Sequence, residues 1–370
     1  MAGLYVHIPF CKRRCIYCDF FSCVSKDVPD AYITKLGEEL EERKTFLTDR
    51  VTTLYFGGGT PSLMSLNQIE YLISQINKYF PVSQMEEITL EANPDDLYLE
   101  YLKGLKSIGV NRLSIGVQSF DDKELQLLGR RHNAAQAIKA INDSADADFE
   151  NVSIDLMFAL PAERKTNSFE MSLKKAVSLP VNHISAYLLS QENDTALDTM
   201  IKKGLITLPD EEKALEEFDF TEDFLTSKGF IHYETSSYCL LGCYSKHNSN
   251  YWKQKQYLGI GAAAHSFNGE KRMWNVADLF SYVEKPLNET RKSERLTLIN
   301  RYEEYIMLSL RTMEGLDVSV IEKEFPTFYS SFLQKSQIQI DAGLLKQENT
   351  HLKATRLGQH LLNQLILSLF

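Results

Sequence analysis

"GLYVHIPFCKRRCIYCDFFS", residues 3–22, holds two patterns in one stretch. Its first half alternates. Leu4, Val6 and Ile8 fall on one side of an extended chain and Tyr5 and His7 on the other, because side chains along a strand point to opposite faces with period two. Its second half places Cys11, Cys15 and Cys18 within eight residues, spaced C-x3-C-x2-C. A strand with one polar face that runs directly into three thiols calls for a fold in which strand ends converge on a polar interior.

The alternation recurs along the chain. Strands are expected at 4–8, 52–56, 87–92, 112–117, 151–158 and 183–189. Ile88 and Leu90 part from Thr89 and Glu91. Leu113, Ile115 and Val117 part from Ser114, Gly116 and Gln118, and Val152, Ile154 and Leu156 from Ser153 and Asp155. Ile184, Ala186 and Leu188 part from His183, Ser185 and Tyr187. Between these runs, apolar residues at helical spacing predict helices over 32–47, 67–80, 98–108, 122–142 and 168–179, with an acidic helix at about 210–228. Repeated βα units imply a parallel sheet with right-handed crossovers.

A parallel sheet covered on both sides is apolar on both faces. Here one face is polar, so the sheet should wrap around something other than packed aliphatics. The expected fold is α/β, a partial (β/α)6 barrel; a doubly wound open sheet is the competing arrangement. Residues 1–240 would form the barrel and 241–295 a segment holding "HNSNYW" followed by connecting chain. Residues 296–370 would form a small helical, winged-helix-like unit whose hairpin lies in "LLKQENTHLKATRLGQHLLNQLI".

The 370 residues carry a net charge of −10. That argues against a broad nucleic-acid surface, which needs a dense cationic face, though Lys12, Arg13 and Arg14 form a local basic patch. No apolar run is long enough to span a bilayer, and the amino terminus lacks a signal-peptide layout. The expected location is the cytoplasm, where a cysteine cluster reads as metal-binding or redox-active. Cys23, Cys239 and Cys243 read as small hydrophobes.

Three thiols in one loop can hold an inorganic centre. A structural zinc site closes with four ligands, which His7 or Cys23 could complete. A [4Fe–4S] cluster held by three thiolates leaves one iron open. The C-x3-C-x2-C loop after a first strand resembles the signature of radical S-adenosylmethionine (SAM) proteins. The resemblance implies that the open iron chelates SAM and that an electron from the cluster cleaves it to a 5′-deoxyadenosyl radical. Narrower motifs follow in order: "YFGGGTPS", "LEANPD", "NRLSIGVQSF", "LGRRHN", "SIDLMFALP" and "HNSNYWKQKQYLGIGAAAHSF". With them the chain resembles the group that contains oxygen-independent coproporphyrinogen III oxidase (HemN) and the heme chaperone HemW, across about residues 3–270 and again after 296.

That resemblance implies site residues. Cys11, Cys15 and Cys18 would hold the cluster. Gly58, Gly59 and Thr60 would meet the methionyl end of SAM, with Tyr5, Tyr17, Glu91, Gln118, Arg130 and Asp155 around the rest. Arg130 suits a carboxylate, with Arg131 as the alternative; Glu91 and Asp155 suit ribose hydroxyls. His247, Asn248, Tyr251 and Trp252 form an H-N-x-x-Y-W motif associated with heme, and His265 is a weaker heme candidate. The oxidases continue to a further cysteine two residues after the third, where this chain has Phe20. The resemblance therefore favours a heme chaperone that passes heme to acceptor proteins over an oxidase of porphyrin biosynthesis. No catalytic residue is assigned. SAM cleavage, the heme ligand, the acceptor and a homodimer are left open. Ala159 and Ala263 stand where the family usually has glycine.

Overall fold

The computed structural model describes residues 1–161 and 167–370. Strands Ala2–Ile8 (β1), Val51–Gly58 (β2), Glu87–Ala92 (β3), Arg112–Gln118 (β4), Val152–Phe158 (β5) and His183–Leu188 (β6) lie side by side in chain order, all parallel. Each strand is the neighbour of the one before it. Among these six the order never reverses, unlike a doubly wound sheet, and helices pack against their apolar face.

The core shows the sorting directly. Leu4, Val6, Ile8, Leu90, Leu113, Ile115, Val152, Ile154, Leu156 and Ile184 are buried in one cluster. The helices supply the other half of that cluster. Asp30–Glu42 (α1) contributes Tyr32, Leu36 and Leu40; Leu66–Asn77 (α2) contributes Ile69, Leu72 and Ile76; Leu99–Ser107 (α3) contributes Leu102 and Leu105. Each such aliphatic side chain contributes about 1.5–3 kcal/mol by leaving water. The opposite strand face looks into the barrel.

The helix expected over 122–142 is two helices, Asp122–Leu127 and Ala134–Asp146 (α4). Gly129 takes a left-handed φ of 76° after the first, where glycine is tolerated and side chains are strained. Asn133 then caps the second in a reciprocal capping box with Gln136. The break puts residues 128–133 in a loop over the strand ends. Ser168–Ala176 (α5) and Glu211–Ser227 (α6) complete the outer layer.

Both edges of the sheet are extended. Ile231–Glu234 (β7) and Ser237–Cys239 (β8) add antiparallel strands beyond β6. Tyr257–Ile260 (β9) runs parallel to β1, and His265–Phe267 (β10), Lys271–Asn275 (β11) and Arg291–Arg295 (β12) follow antiparallel. Residues 271–295, read from sequence as connecting chain, thus supply two strands. "KRMWN" and "RKSER" are charged outer strands with little apolar alternation to reveal them, as suits a sheet edge that must not recruit another chain.

"KHNSNYW", from the segment assigned no element above, is regular. Lys246–Trp252 (α7) is a short helix capped by Ser245. Residues 298–370 bury a separate core around Tyr302, Ile306, Phe332, Leu352 and Leu365. A three-stranded sheet lies among its helices, built from Leu316–Asp317 (β13), Leu345–Glu348 (β14) and His351–Ala354 (β15). The expected hairpin is β14–β15. This unit is tied to β7 by backbone bonds from Thr235 N to Arg311 O (2.9 Å) and from Met313 N to Tyr233 O (2.9 Å). Among the described residues no helix is long and apolar enough to cross a membrane.

Candidate functional site

Beyond β1 the chain makes a short parallel pairing, Phe10–Cys11 with Cys23–Val24, and throws out residues 12–22 as a loop between them. The loop is anchored to its surroundings. Ile16 N donates to Leu128 O at 3.2 Å and Leu197 N to Ile16 O at 2.8 Å. Cys11 is buried; Cys15 and Cys18 are half-buried. Thr60 Oγ1 donates to Cys11 Sγ at 3.3 Å and Arg130 Nη1 to Cys15 Sγ at 3.2 Å. Burial pushes the thiols of Cys11 and Cys18 up; Thr60 opposes that at Cys11, and the Phe20 backbone at Cys18.

The thiols face a cavity of about 430 Å³ at the carboxyl ends of the strands. Cys11, Cys15, Cys18, Tyr17, Gly58, Gly59, Thr60, Glu91, Gln118, Arg130 and Asp155 all line it. Tyr5 does not. It lies one layer deeper, its hydroxyl 3.0 Å from His7 Nδ1 and its ring 6.0 Å from that of Tyr55.

The glycines after β2 are forced by close approach. A Cβ on Gly59 would sit 2.8 Å from Phe10 O, and one on Gly58, at φ 114°, 2.6 Å from the His7 ring. Gln118 owes its place to a bulge at the end of β4, where the register slips and its own φ is 69°; such bulges re-aim side chains at barrel rims.

Of the adjacent arginines, Arg131 is held away by Asp95 at 3.0 Å and Asp96 at 2.9 Å. Arg130 is the one on the cavity wall. Its Nη2 donates to Asn93 Oδ1 and Gly116 O, both at 2.5 Å, and its buried Nε has no partner among the described residues. Glu91 accepts from Tyr55 Oη at 2.7 Å and from Gly58 N at 3.0 Å. Burial pushes Glu91 up to about 7 against the Tyr55 hydrogen bond, with Asp155 adding repulsion. Asp155 rises to about 6 for the same first reason, opposed by Arg112.

The other predicted group is at the opposite end of the barrel. His247 is 1% exposed. Its Nδ1 is 2.9 Å from Thr53 Oγ1 and its Nε2 2.9 Å from Tyr251 Oη. Burial, helped by Arg112, pulls it down to about 3, so it is a neutral ring with both nitrogens engaged. Gly3 makes room, since a Cβ there would lie 3.0 Å from His247 Cε1. The buried Glu87 carboxylate receives the amides of Lys246 at 2.8 Å and His247 at 3.0 Å, which docks α7 on the strand starts. Asn248 is half-buried within α7, its backbone N donating to Ser245 Oγ at 3.4 Å. Trp252 gives its Nε1 hydrogen to Glu234. His265, 5.9 Å from the Trp274 ring, lies on β10, away from both groups.

Sequence reading missed Met157, Tyr187 and Glu192 on the cavity wall. Tyr187 was on the polar face of β6, so its signal was present. Glu192 lies in the loop after β6, where no periodicity speaks. The zinc alternative finds little support. His7 is engaged by Tyr5 and by Phe21 O at 3.3 Å.

Residues 5–167 match the model of the Radical SAM superfamily and residues 296–361 that of the HemN C-terminal domain. The heme chaperone HemW of Lactococcus lactis subsp. lactis is 36% identical over 323 residues, covering 87% of this chain and 84% of that protein. HemW of Bacillus subtilis is also 36% identical, covering 90% and 88%. The chain belongs to the HemW family. Likeness extends to a Bos taurus mitochondrial protein, radical S-adenosyl methionine domain-containing protein 1, at 33% identity over all of this chain and 87% of its own. The solved structure of coproporphyrinogen III oxidase (HemN) from Escherichia coli superposes with a TM-score of 0.83 at 23% identity, covering 100% of this chain and 89% of that one. At that identity the match speaks for the fold. Membership of the radical SAM superfamily implies a [4Fe–4S] cluster and SAM.

Proposed function

We propose that the chain is a heme chaperone, which binds heme and passes it to acceptor proteins while carrying a SAM-chelating [4Fe–4S] cluster on Cys11, Cys15 and Cys18. The observation that carries this reading is the 36% identity, over most of both chains, to proteins named as heme chaperones. Phe20 agrees with it. It stands at the cavity mouth, 66% exposed, where the oxidases carry a further cysteine.

The residues present fit a cluster. Three thiols face one cavity from a single loop, the donor set that a cluster with one open iron takes. When bound, that centre supplies an open iron for SAM and a low-potential electron. The chain's own part is positional. Arg130 donates a hydrogen bond to Cys15 Sγ and Thr60 one to Cys11 Sγ, which orients both sulfurs toward the cavity wall they share. Gly58 and Gly59 let backbone approach a ligand without side-chain obstruction. Glu91 and Asp155 offer acceptors for ribose hydroxyls, and Arg130, with one donor still free, meets a carboxylate. The half-buried aromatic Tyr17 walls this space from solvent.

The test is anaerobic reconstitution of the full chain with iron and sulfide, addition of hemin, and a visible spectrum. A heme band at one equivalent is expected. Decarboxylation of coproporphyrinogen III with SAM and a reductant, without heme binding, would replace the chaperone with an oxidase.

A further inference from the structure

One arginine is shut inside the barrel. Arg112 opens β4, is 2% exposed and is the largest fully buried side chain among the described residues. Its guanidinium stays charged at every accessible pH. A buried charge is costly unless other charges or hydrogen bonds compensate it. Neither its Nε nor its Nη1 has a protein hydrogen-bond partner among the described residues, so short contacts do not account for its place.

The register of the sheet shows which groups compensate it. Arg112, Ser114 and Gly116 share the luminal face of β4. Arg112 is the partner of Thr89 on β3, Ser114 of Glu91 on β3, and Gly116 of Asp155 on β5. Arg112 therefore stands one luminal step below Glu91 and two below Asp155. Only a serine and a glycine follow it on that row of β4, so no bulky side chain of the strand screens the cation from the two carboxyls. Burial raises both carboxyls, and Arg112 opposes it, at Asp155 more than any other group does.

The other groups facing this wall are neutral or engaged. Tyr5, Tyr55, Tyr187 and Tyr251 are phenols pushed up by burial. His183 and His247 are pulled down by burial, helped by Arg112. Nearer the amino end, Glu87 holds the amides of Lys246 and His247, and Glu234 the Trp252 Nε1 hydrogen. Burial pushes up Tyr233 and the thiols of Cys239 and Cys243 there. The second cation, Arg130, donates to Cys15, Asn93 and Gly116.

Resting on the SAM-binding reading above, we propose that Arg112 is a positioning residue for that site: its fixed charge is the countercharge that keeps Glu91 and Asp155 as carboxylates, ready to accept the ribose hydroxyls. Arg112 itself does not line the cavity. It acts through the two carboxyls, because a charged acceptor makes a stronger hydrogen bond than a neutral one.

Equilibrium dialysis of SAM against the anaerobically reconstituted full chain, from about pH 5.5 to about pH 9, tests this. Wild-type affinity is expected to rise through about 6 and about 7, where Asp155 and Glu91 ionise. Arg112→Gln should move that rise up by about one pH unit. Its binding is then roughly tenfold weaker near neutrality and close to wild type at the alkaline end. Arg112→Lys retains the charge and should keep the wild-type midpoint. Titration of SAM itself is common to all variants and cancels in the ratio of affinities. Iron and sulfide content and far-UV circular dichroism confirm that each variant loads and folds. Should Arg112→Gln fail to fold, Arg112→Gln/Asp155→Asn removes the charge together with one of its partners, and its ratio to Asp155→Asn reads the shift at Glu91 alone. A ratio that is constant with pH overturns the proposal and leaves SAM binding intact; Arg112 is then packing. No SAM binding by the loaded wild type overturns the SAM reading itself, and the proposal with it.

Discussion

The two ends of the barrel are built on opposite terms. At the carboxyl ends, three thiols, Arg130, Glu91 and Asp155 line one cavity, with Glu91 and Asp155 held at raised pKa by burial. At the amino ends the polar groups answer each other. His247 meets Thr53 and Tyr251, Glu87 meets the first amides of α7, and His183 Nδ1 lies 2.7 Å from Ser153 Oγ. An open end waits for ligands, whereas a satisfied end serves as foundation. The contrast explains why two motifs of equal prominence in the sequence have different standing in the fold.

The strongest way to break this contrast is at the thiols. Cys15→Ser removes one iron ligand and should abolish the iron–sulfur absorbance and the bound sulfide after reconstitution. Hemin binding should persist, because the H-N-x-x-Y-W motif is on α7 at the other end. Loss of both together would show that the two ends are one site, and the contrast would fall.

The next effect concerns stability. His247→Ala empties a buried position and strands Thr53 and Tyr251, so the apo chain should lose about 2–4 kcal/mol in urea unfolding. His247→Gln keeps two polar contacts and should recover part of the loss. If His247→Ala leaves the urea midpoint unchanged, the ring is no foundation.

A smaller effect has a sign that distinguishes the ends. Glu91 is pushed up to about 7 by burial, from an ordinary value of 4.5. The protonated form is the one folding favours, so this group's stabilisation is full below its unfolded value and is lost as pH rises through about 7. Glu91→Gln should therefore gain stability relative to wild type between about pH 4.5 and 7, with no further gain above. His247, pulled down to about 3 from 6.5, works the other way. Its contribution is full above 6.5 and is lost as pH falls. A Glu91→Gln minus wild-type difference flat across that window would mean the Glu91 carboxyl is solvated in the apo chain.

How far each end was legible follows from what the chain must do there. Alternation along the central strands exposed the barrel, because sorting of Leu113 from Ser114 or Ile154 from Asp155 is enforced at every step by period two. The thiol loop was legible because its chemistry lies in consecutive residues. Arg130 could not be separated from Arg131 by spacing; Asp95 and Asp96 decide it, and they come from the loop after β3. The split of the 122–142 helix was signalled by Gly129 and the Asn133/Gln136 pair, yet the apolar periodicity ran through them. α7 was hidden because seven mostly polar residues show no apolar stripe. The direction of His247 depends on Thr53 and Gly3, which are distant in sequence. The outer strands β11 and β12 carry edge charges, which periodicity does not read.

The smallest effect tests the two alanines that stand where glycine is usual. Ala159 has φ 56° and Ala263 φ 62°, so both are held left-handed, a conformation that costs an L residue with a Cβ roughly 1–2 kcal/mol. Their backbone bonds explain why the chain keeps it: Ala159 N donates to Glu217 at 2.7 Å and Ala263 N to Val276 O at 3.0 Å, and a glycine would retain both. Ala159→Gly relieves the strain but gives the unfolded chain more freedom, about 0.4–1 kcal/mol in the opposite direction. The net expectation is a gain of roughly 0.5–1 kcal/mol in urea unfolding. Gly58→Ala should show the reverse, with loss of stability, because its Cβ would lie 2.6 Å from the His7 ring at φ 114°. Should Ala159→Gly destabilise the chain, its methyl is packed against the rim of the open end and contributes to that end's shape, and the rim would then share the close fit that characterises the closed one.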